Sequence, residues 1–141
     1  MTERITLFAE VLLPLPVPKA YVYRVPQELN ELLQAGHRVI VQFGARKVYS
    51  AIVLSLSENP PVGYTASYIL EMLEAEPVVL PIQLQFWQWI ASYYMCYPGE
   101  VMAAALPAGF RLQSESLLTL HPEFDPENIP ELDDKETIIL K

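Results

Sequence analysis

The sequence predicts an α+β domain: a small, mostly antiparallel β-barrel or curled sheet over residues 5–75, with two C-terminal helices covering part of it. Three observations predict it. Residues 37–57, HRVIVQFGARKVYSAIVLSLS, read as a hairpin, because Val39, Val41 and Phe43 alternate with Arg38, Ile40 and Gln42 before a second β-branched run returns. Short aromatic and β-branched runs precede that hairpin with brief connections between them. After Pro81 the apolar period changes from two to that of a helix. Strands first and helices afterwards give an α+β order.

Ile5 to Leu13 is apolar with weak alternation and reads as the first strand. Pro14, Pro16 and Pro18 follow; without N–H donors they suit an extended edge or connector. Tyr21 to Val25 is a short strand with Tyr21, Tyr23 and Val25 on one face and Val22 and Arg24 on the other. Pro26 to Leu33 predicts one or two helical turns, ending where Gly36 suits a C-terminal cap. In the hairpin, Gly44 takes a positive φ without steric cost, so the chain turns at Gly44-Ala45-Arg46-Lys47. The returning strand places Val48, Ile52, Leu54 and Leu56 on one side. Glu58 to Gly63 is an exposed turn, and Tyr68 to Leu73 a further strand without a clean period.

Ile82, Phe86, Trp89, Ile90 and Tyr93 recur at helical spacing, so residues 82–95 form an amphipathic helix. Core packing is the expectation for that stripe, with Trp87 and Tyr94 on its flank. Tyr97-Pro98-Gly99 ends it, and Glu100 to Leu106 is a shorter second helix stopped by Pro107. Phe110 to Leu120 carries another β-like segment, SLLTL. A linker rich in proline and acids runs from His121 to Pro130. Asp133-Asp134-Lys135-Glu136 before Ile138, Ile139 and Leu140 looks like a helix start, one turn of which cannot stand alone. The expected division is a domain over residues 1–120, then an acidic linker and the truncated start of a second domain over 121–141.

The chain has 141 residues and is 52% hydrophobic, which argues for a packed globule and against disorder. No apolar run reaches the roughly 18 residues that a spanning helix needs, and the N-terminus has no signal-peptide pattern. The single cysteine, Cys96, forms no internal disulfide, which fits a reducing, cytoplasmic compartment. The net charge is −8, but residues 121–141 hold seven acids and two lysines. Lys19, Arg24, Arg38, Arg46 and Lys47 cluster early in the chain, so local basic character coexists with an acidic total. That balance argues against charge-driven binding to long duplex DNA, which depends on many phosphate contacts.

Chemistry-bearing patterns are absent: there is no phosphate loop, no Gly-x-Gly-x-x-Gly and no Gly-x-Ser-x-Gly. His37 and His121 are far apart in sequence, and a plain surface residue is the expectation for His37. Cys96 has no base nearby in sequence, and Glu71, Glu74 and Glu76 read as a solvated edge. A binding module fits better than an enzyme. Tyr21, Tyr23, Phe43 and Tyr49 stand on strands beside the cationic turn, where aromatic rings next to cations can stack bases and hold phosphates.

A series of short motifs then falls in a specific order. These are Pro14-Leu15-Pro16, Tyr21-Val22-Tyr23-Arg24-Val25-Pro26, the stretch from Gly36 through Arg38-Val39 to Phe43-Gly44, and Ala51-Ile52-Val53. After them come Glu76-Pro77-Val78, Trp89 to Tyr94, and Gly99-Glu100-Val101 through Ala105-Leu106-Pro107. Over about residues 5–120 this order resembles the N-terminal region of the PriA family, the primosomal protein N′ of bacterial replication restart. The final residues resemble the opening of that family's winged-helix domain.

The resemblance implies a non-catalytic module that captures the 3′ end of a nascent strand at a stalled fork and targets a helicase there. It implies a pocket for the terminal nucleotide, read largely without regard to sequence, at Tyr21, Val22, Gly44 and Ser67. It also implies DNA forks and single strands with a free 3′ end as partners, with the remaining helicase domains and other primosome proteins. No membrane is implied. No cofactor is expected in this segment; ATP and zinc belong to other parts of the parent helicase. Some members carry aspartate where Val22 stands and lysine where Ser67 stands. Either backbone atoms do that work here, or Arg46 and Lys47 supply the cation as phosphate-binding residues, or end binding is weaker. The alternative function is a protein-docking domain of the helicase or primosome without end-specific DNA binding.

Overall fold

The computed structural model describes residues 5–110. The SLLTL segment, the acidic linker, His121 and the expected helix start after Asp133 lie outside the described residues. Within them, five strands form one antiparallel sheet in the order β2-β1-β4-β3-β5. The strands are β1 (Phe8–Leu12), β2 (Tyr21–Arg24), β3 (Arg38–Gln42), β4 (Val48–Ser57) and β5 (Glu71–Met72). Two helices follow, α1 (Pro81–Tyr93) and α2 (Pro98–Ala105). The α+β curled sheet expected from the sequence is therefore present.

Alternation decides the inner face of the sheet. Ala9, Val11, Tyr23, Val39, Val41, Tyr49, Ala51 and Val53 all point into one core, joined by Leu13, Val25, Leu33 and Ile69. The long strand β4 is buried on both faces along Tyr49 to Val53, because Ile52 belongs to a second core under the helices. The sheet is not closed into a barrel. A single parallel bridge between Arg24 and Tyr68 ties its far edges: Arg24 N–H donates to Ser67 O (2.7 Å) and Ile69 N–H to Arg24 O (2.9 Å).

A β-bulge corrects the expected facing of β4. Glu10 pairs with Ser55 but Val11 pairs with Val53, so Leu54 is an extra residue in the returning strand. Ile52 and Leu54 pack toward the helices, whereas Leu56, two residues on, packs into the sheet's inner core. Parity counted along the sequence cannot register such an insertion. The expected strand over Tyr68 to Leu73 shortens to the two residues of β5, and the turn after Pro26 is a 3₁₀ turn, Gln27–Leu29.

The helix layer carries the largest correction. Leu84, Trp87 and Ala91 are the buried residues of α1; they pack with Leu12, Ile52, Val79, Val101 and Met102. Most of the stripe expected in the core faces solvent instead: Ile82 is 66% exposed, Phe86 56%, Trp89 57% and Tyr93 66%, while Ile90 alone of that stripe packs against the core. Along it, Phe86 stacks on Trp89 with ring centroids 6.1 Å apart, and Trp89 on Tyr93 at 5.1 Å. Pro98 does not end α1 but begins α2, at the position where a missing N–H costs nothing. The chain leaves α1 earlier, through Met95 in a left-handed conformation (φ 56°). Side chains close both helix starts, Gln83 Oε1 accepting from Leu80 N–H (2.8 Å) and Glu100 Oε2 from Tyr97 N–H (2.9 Å).

Two further expectations change. His37 is 1% exposed, not a surface residue. Its Nδ1 accepts from Gln34 N–H (2.9 Å), leaving the Nε2 proton for Ala75 O (3.2 Å), so the ring staples two loops. Glu74 is not simply solvated, because it forms an ion pair with Arg38. Arg38 also donates to Gly109 O (3.2 Å) and lies over the Phe110 ring, 4.8 Å from its centroid. This cation is committed to structure.

Candidate functional site

The Tyr21-Val22-Tyr23 strand and the Gly44 corner are 21 to 23 residues apart in sequence, yet they line one cavity of about 260 Å³. Tyr21, Val22 and Tyr23 come from β2, and Gln42, Phe43 and Gly44 from the end of β3. The third wall is the loop bearing Tyr64, Thr65 and Ser67. All four residues expected for the terminal nucleotide (Tyr21, Val22, Gly44 and Ser67) therefore meet at one place. The volume lies just below the roughly 300–1,000 Å³ of pockets that enclose drug-sized ligands, so the site has room for one nucleotide rather than several.

Each wall has a local cause. At Gly44 φ is +81°, a left-handed conformation that a side chain resists, and a Cβ built there meets nothing within 4 Å. The corner is open rather than plugged. Phe43 N–H donates to Lys47 O (2.9 Å), which tightens the turn beneath it. The Tyr21 ring meets Phe43 edge-on, with centroids 4.8 Å apart, and Tyr64 at 6.3 Å. Lys19 Nζ lies 5.8 Å from the Tyr21 ring centroid.

The hydroxyls of this site have different duties. Tyr23 is buried and donates to Gln42 O at 2.7 Å. Burial, with smaller contributions from Tyr64 and Tyr21, pushes its pKa up to about 12, so it remains a neutral donor. The Tyr64 hydroxyl accepts from Val22 N–H at 2.9 Å. This bond caps a donor on the outer edge of β2, next to the one that Ser67 O takes from Arg24.

The expected cations stand apart. Arg46 and Lys47 are exposed at the hairpin tip and do not line the cavity, whose walls among the described residues carry no charged side chain. Tyr49 is buried in the inner core, so it leaves the aromatic group expected beside the turn. Tyr64 and Thr65 were not expected at all. Tyr64 sits in an irregular loop after Gly63, and the only signal for it is an aromatic ring in an otherwise polar, proline-rich turn.

No group of metal-ligating side chains occurs among the described residues, and no described helix is long and apolar enough to cross a membrane.

Residues 10–107 match the family model of the 3′DNA-binding domain (3′BD) of PriA. Among curated proteins the chain is similar to replication restart protein PriA of Haemophilus influenzae, 32% identical over 101 residues. It is also similar to the proteins of that name in Bacillus subtilis (23% over 116 residues) and Chlamydia trachomatis (32% over 108). The matches cover 72%, 80% and 72% of this chain and 14% of each relative. The chain thus spans about one seventh of the length of these relatives.

Proposed function

The chain belongs to the family of PriA 3′ DNA-binding domains, and on that premise we propose that its cavity seats the last nucleotide of a DNA strand with a free 3′-hydroxyl. The observation that carries this reading is the cavity itself: a glycine corner left open, aromatic rings beside it, and walls without charge. Rings supply stacking surface that every base can use. The open corner lets a backbone approach a sugar closely. A 3′-phosphate would bring added negative charge among described walls that carry no cation, with Lys19 standing over the Tyr21 ring at their margin, and a charge left unpaired there is costly.

Arg46 and Lys47, at the exposed tip next to Gly44, take the phosphates of the same strand outside the cavity. Two cations are too few for strong non-specific binding, so the end contributes most of the preference. In this reading the domain places the rest of a replication-restart helicase at a fork, with the other helicase domains and primosome proteins as partners.

Competition between oligonucleotides ending in 3′-hydroxyl and 3′-phosphate tests it. The hydroxyl end binds more tightly, and equal affinity for the two would remove end recognition. In the same assay, replacing Arg46 and Lys47 by Ala weakens both ends and flattens the salt dependence by about one to two units of slope.

A further inference from the structure

The Tyr64 hydroxyl accepts one hydrogen bond, from Val22 N–H, and the described residues supply no acceptor for its own proton. A hydroxyl has one donor and two acceptor positions. Holding the oxygen against the edge of β2 leaves that donor at a cavity wall, on a side chain that is 39% exposed. The other phenol of the site that makes a hydrogen bond is spent: Tyr23 donates to Gln42 O.

The placement of Tyr64 decides what its proton meets. Its ring is tilted 55° to that of Tyr21, so a base stacked on Tyr21 turns an edge rather than a face toward Tyr64. The sugar goes to the side-chain-free corner at Gly44. A donor held on the aromatic side faces a base edge. All four bases carry an acceptor on their minor-groove edge, N3 of a purine or O2 of a pyrimidine. One neutral donor directed at that edge holds any base equally well. Resting on the end-binding reading above, we propose that Tyr64 is a further nucleotide-binding residue, its hydroxyl donating to the minor-groove acceptor common to every terminal base.

The test measures binding of the 141-residue chain and its Tyr64→Phe variant to five oligonucleotides with free 3′-hydroxyls. Four end in dA, dC, dG or dT, and the fifth in an abasic residue. A neutral hydrogen bond predicts that the variant weakens all four base ends alike, by about 3–10-fold. The abasic end binds both proteins equally. Taking the ratio of base to abasic ends within each protein cancels any loss of folded fraction. Unchanged ratios, or a loss confined to some bases, overturn the assignment. The competition of hydroxyl against phosphate ends on the parent chain keeps the two claims apart. If that preference is present and the ratios are unchanged, only the role of Tyr64 falls. If the parent chain shows no preference, end recognition falls and the Tyr64 assignment falls with it.

Discussion

At residue 44 the chain combines two properties that seldom coincide: a conformation hostile to side chains and free space where one would go. The φ of +81° sets the first, and the absence, among the described residues, of any atom within 4 Å of a built Cβ sets the second. Gly44→Leu therefore meets no clash and costs about 1–2 kcal/mol from backbone strain alone, while its side chain occupies the notch. The expected outcome is a folded protein, shown by urea denaturation, that lacks the proposed preference for free 3′ ends. Gly36 is a different case. It also has a positive φ, but a Cβ there would strike Val79 O, so its requirement is one of packing. The sequence signalled a turn at both glycines and did not distinguish them, because what lies across from each comes from distant chain. The same limit hid His37, whose burial depends on Ala75, and Tyr64, whose partner Val22 is 42 residues away.

Elements were legible where one face is buried and one is wet. β2 and β3 are such strands, and the alternation of Tyr21 to Val25 and of Arg38 to Phe43 placed their side chains correctly. α1 has apolar residues on two faces. Ile82, Phe86, Trp89 and Tyr93 make one helical row; Leu84, Trp87 and Ala91 make another. Periodicity finds a row but cannot say which one the sheet accepts. The sheet surface around Leu12 and Ile52 takes the row that narrows to an alanine. Trp87→Ala is accordingly expected to cost about 3–5 kcal/mol. Trp89→Ala forfeits chiefly its stacking on Phe86 and Tyr93, about 1–3 kcal/mol for the two pairs. Denaturant titrations of the two variants check this ordering; the reverse order would place the wrong face against the sheet. The bulge at Leu54 was invisible for a related reason, since an inserted residue changes facing without changing composition.

Across the whole molecule, the fold class was readable in advance from alternation and the change of period, whereas the meeting of Tyr21, Val22, Gly44 and Ser67 was implied only by the family resemblance and not by the residues themselves. The neutrality of the cavity and the commitment of Arg38 to Glu74 and Phe110 were not readable, because they depend on where side chains end rather than where strands run. One bridge, Arg24 to Tyr68, joins the far edges of the open sheet, and the cavity draws its walls from that same margin: β2 on one side, the Tyr64 loop and the end of β3 on the other. In the proposed reading, a nucleotide lodged there would act as a clasp on an unfinished hoop. Fastening it slows amide exchange first at Arg24 and Ile69, whose N–H groups form the bridge, and less in α1 and α2. Uniform slowing over the chain would show instead that the hoop is already shut before any strand arrives.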